Sequence, residues 1–162
     1  MSTGGKKIAV IGAGPAGYTA AQELSKNGYT VDIYDKEDRL GGAIYTGIPE
    51  YRMSKIFLDK VFASMKEDKN ITFHFNTKID CERFEGLRKN YDKVLVATGA
   101  QIENTYGFEP GNGLYAGLTL LYDLNIRGNH EYYKKYKKAM VWGGGNVAMD
   151  CARSLVRIID DV

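Results

Sequence analysis

Sulfur and imidazole are scarce in this chain, which has 2 cysteines and 2 histidines among 162 residues. Neither Cys81 nor Cys151 has a second cysteine or a histidine cluster at ligand spacing, so no metal or Fe–S site is expected within the chain. Long apolar runs are lacking too. The most apolar stretch, Ile8 to Ala21, is broken by a glycine-rich turn and is too short for a bilayer-spanning helix. Although Lys6 and Lys7 precede it, the same turn argues against a secretion signal. With neither signal nor span, the expected location is cytoplasmic and the expected state of both thiols is free. Charge is nearly balanced, with Lys+Arg 22 against Asp+Glu 20, a formal +2 that gives no basis for a nucleic-acid partner. The densest basic cluster, Lys134, Lys135, Lys137 and Lys138, reads as a solvated approach to a strand. No catalytic acid or base stands out: His74 falls in a strand pattern and His130 in a polar loop.

Glycine is plentiful, and 19 of them supply turns and two nucleotide-binding fingerprints. The first is Gly12-Ala13-Gly14-Pro15-Ala16-Gly17, which follows an apolar run (Lys7 to Ile11) and opens a helical pattern (Ala16 to Lys26). A second apolar run then ends in acidic Asp35. Gly12 permits the tight turn, Gly14 lets backbone approach a pyrophosphate, and Gly17 lets the helix pack closely on the strand. Pro15 pre-sets φ for a first helical turn at a position whose N–H would have no partner. The helix N-terminus then faces the phosphates. Asp35 is placed to accept from a ribose 2′-hydroxyl and would repel a 2′-phosphate, so the first site should not prefer NADP. The second fingerprint is Gly143-Gly144-Gly145-Asn146-Val147-Ala148, between an expected strand, Ala139 to Trp142, and an expected helix, Val147 to Ile159. Two loops imply two nucleotide ligands.

Between them, Lys36 to Arg52 is a glycine-rich loop, and Ser54 is expected to cap a helix, Lys55 to Asp68, whose Ile56, Phe57, Val61, Phe62 and Met65 face core. Ile71 to Phe75 reads as a strand, Cys81 to Lys89 as a short helix or turn, and Lys93 to Ala97 as a buried strand running into Thr98-Gly99-Ala100. A loop with Pro110, Gly111 and Gly113 precedes a helical Leu118 to Leu124. A chain of 162 residues suffices for one domain with a core and is short for two complete dinucleotide-binding domains.

Four segments together resemble one family: Val10 to Gly17, Gly41 to Arg52 (Gly-Gly-Ala-Ile-Tyr-Thr-Gly-Ile-Pro-Glu-Tyr-Arg), Val94 to Ala100, and Gly143 to Asp150. In that order they are similar to the two-dinucleotide-binding flavoproteins. The second and fourth narrow the resemblance to the branch of the glutamate synthase small (beta) subunit, with the flavoprotein of NADH-dependent ferredoxin:NADP oxidoreductases and the flavin half of dihydropyrimidine dehydrogenase. It covers nearly the whole chain. The resemblance implies an α/β, Rossmann-like three-layer FAD/NAD(P)-binding fold with a parallel sheet. Residues 1–136 would be the first segment of the FAD-binding domain, and 137–162 the start of an incomplete NAD(P)-binding domain. It further implies FAD held by Gly12, Gly14, Pro15, Ala16 and Gly17 at the pyrophosphate and by Asp35 and Lys36 toward the adenosine. Gly42, Ala43 and onward to Ile48 would pass the ribitol and ring, and Ala97, Thr98 and Gly99 would close over the cofactor. Gly143, Gly145, Asn146 and Val147 would begin an NAD(P)H site. Arg39 and Arg52 are equally well read as solvated surface charges.

Members of the branch usually carry an upstream cysteine-rich Fe–S domain, whereas few residues precede the first strand here, so any cluster is expected on a partner or not at all. Ala43 to Lys55 has no cysteine, which excludes dithiol chemistry of the lipoamide dehydrogenase pattern. The expectation is a truncated NAD(P)H-dependent flavoprotein oxidoreductase or a fragment of one. It would pass a hydride to FAD and electrons onward to an Fe–S protein or a larger oxidoreductase subunit. Two alternatives stay open: a non-catalytic FAD- or nucleotide-binding module or remnant, and a flavin oxidase or monooxygenase, which would need only the first loop. With its second unit cut short, the last helix should leave Val147, Leu155, Val156 and Ile159 unburied and invite self-association.

Overall fold

The computed structural model of the chain describes residues 5–162. Its contacts group into two compact units, one of residues up to Ile44 with Lys55–Gln101, the other of Tyr45–Ser54 with Ile102–Val162.

The first unit is built on a parallel sheet. Strand β1 (Lys7–Ile11) runs into the first glycine turn, helix α1 (Pro15–Lys26) returns the chain, and β2 (Thr30–Tyr34) pairs alongside β1. After the short helix α2 (Ala43–Thr46), α3 (Lys55–Met65) leads to β3 (Ile71–His74), and α4 (Cys81–Asn90) leads to β4 (Lys93–Val96). The order is β3-β2-β1-β4, with every neighbour parallel. The order therefore reverses between β1 and β4, and the carboxyl ends of those two strands are where such sheets form a ligand crevice. Alternation along β1 makes the three layers: Val10 faces Gly17 of α1, while Ala9 and Ile11 pack with Leu87 of α4.

Local chemistry explains the helix boundaries. Pro15 occupies the start of α1, and Asp80 caps α4 by accepting from the N–H of Arg83 at 2.9 Å. Helix α3 begins directly after Ser54 but buries Leu58 and Phe62, while Ile56 and Phe57 are exposed, contrary to the expected core face. Leu58 and Phe62 are four residues apart and so share one stripe, and Phe62 meets the Tyr18 ring of α1 edge-on at 5.8 Å. The Lys93 to Ala97 strand is not buried as expected. It lies at the sheet edge, where Val96 is 58% exposed.

A polar cluster crosses this sheet. Asp32, buried in β2, accepts from Lys7 Nζ at 2.9 Å and from Tyr91 OH at 3.0 Å, and lies 2.7 Å from His74 Nε2. His74 also stacks on Tyr34, whose hydroxyl is 2.7 Å from that of Tyr91. The histidine is structural.

The second unit holds α5 (Gly117–Tyr122), a π-helical turn (Asp123–Arg127), α6 (His130–Tyr133) and α7 (Asn146–Leu155). Its core is Leu120, Leu121, Leu124, Tyr133, Cys151, Leu155 and Ile159. Two expectations change here. Ala139 to Trp142 forms no strand; it has no parallel neighbour, and only isolated pairing of Lys138 with Asp161 and an Ala139 N–H to Asp161 carbonyl bond of 2.8 Å engage the segment's start. Helix α7 ends at Leu155 rather than Ile159, and Leu155 and Ile159 are buried, because α5 covers them. Val147 and Val156 are exposed as expected. No helix among the described residues is long and apolar enough to cross a membrane.

Candidate functional site

The first loop is held by contacts that only glycine allows. Gly12 has φ +108°, and a Cβ there would lie 2.2 Å from the carbonyl oxygen of Ala97. That proximity follows from the sheet: Ala97 N–H donates to the Ile11 carbonyl at 2.7 Å, extending the β1–β4 pairing past the strand ends. A Cβ at Gly17 would lie 1.8 Å from the Gly12 carbonyl oxygen, so helix and turn touch through backbone. Gly14 differs. It is the N-cap of α1, extended and offering no side-chain acceptor, and a Cβ there would meet only the Gly42 Cα, at 3.8 Å. Pro15 and Ala16 are exposed in the first helical turn. The first turn of a 12-residue helix is thus uncapped by any side chain and open in front.

The Gly41-Gly42 segment backs onto this turn. Gly41 N–H donates to the Ala13 carbonyl at 3.0 Å, and Gly42, at φ +49°, would place a Cβ 2.8 Å from Gly14 Cα. Ala43 then opens α2, exposed. Asp35 follows β2, and its two carboxylate oxygens accept from the N–H groups of Ala13 (2.6 Å) and Glu37 (2.9 Å). The carboxylate is therefore fixed beside the loop, and each oxygen keeps a further lone pair for a ribose hydroxyl. Lys36 is exposed, its Nζ 3.9 Å from Glu37. Thr98 and Gly99 are exposed beyond β4, with the Thr98 carbonyl accepting from Gln101 Nε2 at 3.2 Å. Within this unit the structure brings together Gly12, Gly14, Pro15, Ala16, Gly17, Asp35, Gly42, Ala97 and Thr98. Ile48 lies half-buried in the other unit.

The second loop has the same helix-start chemistry. Gly143 has φ +133°, Gly145 is the extended N-cap of α7 without a side-chain cap, and Asn146 and Val147 begin the 10-residue helix. Nothing lies within 4 Å of where a Cβ would stand at Gly144 or Gly145. Before the loop, the Trp142 ring meets Phe108 at 5.4 Å and Tyr106 at 6.3 Å between centroids.

One constellation was not foreseen. Arg52, read as equally well a solvated charge, donates from Nη1 to Oδ2 of Asp150 at 2.7 Å, and Tyr51 OH donates to the Asp150 carbonyl at 3.2 Å. Asp150 is buried, so the pair joins the Gly-Ile-Pro-Glu-Tyr-Arg segment to the first turns of α7. Arg153 and Arg157 flank the Tyr51 ring at 4.8 Å and 4.0 Å. The sequence signal was present: a carboxylate on the buried stripe of an amphipathic helix needs a partner. Arg39 pairs with its neighbour Asp38 at the surface.

Both cysteines are free; burial first, then the nearby Asp150 and Glu103 carboxylates, push the Cys151 thiol up to about 11. Among the described residues no group of three or more His, Cys, Asp or Glu is arranged to hold a metal. A groove of about 530 Å³ lies elsewhere, lined by Lys6, Ile8, Ala20, Leu24 and Lys93 toward the amino ends of β1 and β4, opposite the glycine turn.

A parallel α/β sheet with a glycine turn at its reversal point, and a second helix begun by a glycine triplet, define a dinucleotide-binding protein. The chain belongs to the pyridine nucleotide-disulphide oxidoreductase family, whose profile matches residues 6–162. It is 38% identical over 160 residues to the beta subunit of an NADP(+)-dependent formate dehydrogenase of Moorella thermoacetica, covering 96% of this chain and 22% of that one. The glutamate synthase [NADPH] small chain of Azospirillum brasilense is 34% identical, with 94% of this chain and 34% of the relative covered. Among solved structures, Mycobacterium tuberculosis FprA in complex with NADPH superposes with a TM-score of 0.80 at 25% identity, over 93% of this chain and 36% of that one. The chain thus spans between 22% and 36% of these proteins' lengths.

Proposed function

We propose that this chain is the FAD-binding part, with the beginning of the nicotinamide-binding part, of an NAD(P)H-dependent flavoprotein oxidoreductase that passes electrons to a larger oxidoreductase subunit or an Fe–S protein. The observation that carries the reading is the open, uncapped start of α1 at Gly14, framed by Gly42 and Ala97 and flanked by Asp35. A pyrophosphate would lie there: only Gly42 Cα comes within 4 Å of where a Cβ at Gly14 would stand, while Gly12, Gly17 and Gly42 hold the backbone around it close.

Gly14, Pro15, Ala16 and Gly17 would hold the pyrophosphate, Asp35 and Lys36 the adenosine side, and Gly42 and Ala43 the flavin side. Ala97, Thr98 and Gly99 would exclude water from one face. When bound, FAD supplies hydride acceptance from a nicotinamide and onward transfer of single electrons. Gly143, Gly145, Asn146 and Val147 would orient the phosphates of NAD(P)H at the start of α7. No side chain is required as acid or base, in keeping with the structural bonding of His74. The domain limits proposed for the whole protein, 1–136 and 137–162, follow the two cofactors. Contacts within this chain instead group 102–136 with α7, because α5 and α6 share its core. A cytoplasmic setting and self-association through the apolar residues of the last helix that stay exposed, Val147 and Val156, belong to the same proposal.

The unformed strand at 139–142 favours, as a second reading, a nucleotide-binding module without turnover of its own. The visible absorption spectrum of the purified chain, before and after addition of FAD, tests the shared claim. A protein-bound flavin spectrum supports both readings, and an unperturbed spectrum of unbound FAD removes both.

A further inference from the structure

Three phenol oxygens meet on the surface of the second unit. The hydroxyl of Tyr115 is 3.1 Å from that of Tyr132 and 2.8 Å from that of Tyr136. The Lys135 ammonium stands 3.7 Å from the ring centroid of Tyr132 and 5.0 Å from that of Tyr136. Local sequence builds the group: Tyr132 and Tyr133 are consecutive on α6 and face different ways, and Lys135 and Tyr136 follow in the next turn. Tyr133 turns inward and donates to Asp123 Oδ2 at 2.9 Å. Tyr132 turns outward and is 49% exposed. The neighbouring charges Lys134 and Glu131 pair with each other, which leaves Lys135 as the cation facing the phenols.

We propose that Tyr132 is an activated nucleophile, a covalent-modification site for electrophiles that transfer a sulfonyl group. A phenol reacts as its phenolate, and a cation beside the ring with a hydroxyl at the oxygen favours that form. The Lys135 ammonium, and next the Tyr115 hydroxyl, hold Tyr132 below the ordinary phenol range. Its neighbours go the other way. Tyr115 is raised by its bonds to Tyr132 and Tyr136, and Tyr133 by burial and Asp123. A sulfonyl centre is attacked by a phenolate oxygen and not by a protonated ammonium, which is why this electrophile class fits a tyrosine with a lysine cation over its ring. With a sulfonyl fluoride, the phenol oxygen bonds to sulfur, the sulfur–fluorine bond breaks, fluoride departs and the phenolic proton passes to solvent. The inference does not depend on a bound flavin.

The test is to treat the full chain with an arylsulfonyl fluoride and follow the rate at each of its 12 tyrosines by peptide mass spectrometry. Tyr106, which is 78% exposed, serves as the reference. Tyr132 should react several-fold faster than Tyr106, because the Lys135 ammonium and the Tyr115 hydroxyl favour its phenolate. Its rate should begin to rise at a lower pH than that of a tyrosine in a short unstructured peptide. Lys135→Met should bring Tyr132 to the rate of Tyr106 and leave Tyr106 unchanged, while Lys135→Arg should retain most of the difference. A rate at Tyr132 no greater than at Tyr106, label on Lys135 in its place, or an undiminished rate in Lys135→Met would overturn the assignment.

Discussion

A single methyl group distinguishes the glycines of the first loop by purpose. At Gly17 it would stand 1.8 Å from a carbonyl oxygen, whereas at Gly14 its nearest neighbour would be 3.8 Å away. Gly17→Ala should therefore destabilise the apo chain by about 2 kcal/mol or more. Gly14→Val should cost less, about 1 kcal/mol for the loss of a glycine N-cap, yet abolish FAD binding by occupying the pyrophosphate's place. Thermal melts paired with FAD titration check both, and equal melting losses in the two variants would contradict the assignment. Asp32 makes a second prediction. Burial pushes its carboxyl up, but bonds from His74, Lys7 and Tyr91 together hold it below its ordinary 3.8. A carboxyl depressed in the folded state contributes stability that is complete above the unfolded value and is lost as pH falls through the folded one. Lys7 is shifted upward from 10.5, so its contribution is present below that value and lost as pH rises beyond it. Asp32→Asn should cost about 1–3 kcal/mol at neutral pH, and should flatten the acid limb of a plot of urea midpoint against pH. An acid limb identical to that of the unsubstituted chain would refute this role.

Among the elements, α7 is held to the Gly-Ile-Pro-Glu-Tyr-Arg segment by a pair formed across 98 positions of sequence. Arg52→Met would leave Asp150 buried without its counter-charge, and breaking such a pair costs about 3 kcal/mol. Arg52→Lys should cost less, since a charge remains. Unfolding followed by Trp142, the chain's single tryptophan and a member of the same unit, reports the difference, and equal midpoints for all three proteins would remove the pair from the account of α7. The sequence carries the need of Asp150 for a partner but not the identity of that partner, because nothing local to Arg52 names it. What was legible came from short-range pattern. The Lys7–Ile11 run, the glycine turn with Pro15 and the acid after β2 place β1, α1 and β2 within a residue or two. Failures came where tertiary neighbours decide. Ala139 to Trp142 has strand composition but no strand to pair with, and Leu155 and Ile159 are covered by α5, whose contact with α7 depends on the small Gly117. At Gly117 a Cβ would stand 2.8 Å from the Val147 side chain, a close approach visible only in three dimensions.

For the whole molecule, the two glycine-started helices differ in what supports them. The turn before α1 continues a paired strand, and the turn before α7 follows irregular chain with an exposed Trp142. Phosphate affinity at a helix start depends on backbone held rigidly in place. Mixing the FAD-loaded chain with NADPH or NADH in stopped flow should therefore bleach the flavin far more slowly than catalytic turnover requires. Rapid bleaching by either would show the second loop to be competent without a strand before it. The claim on which the functional reading rests is that the first loop recognises a dinucleotide through Gly14 and Asp35. Titrating the apo chain separately with FAD and FMN addresses it most directly. FAD should bind at least about tenfold more tightly than FMN, about 1.4 kcal/mol for the adenosine half. Equal affinity for the two flavins, or affinity for neither, would contradict it.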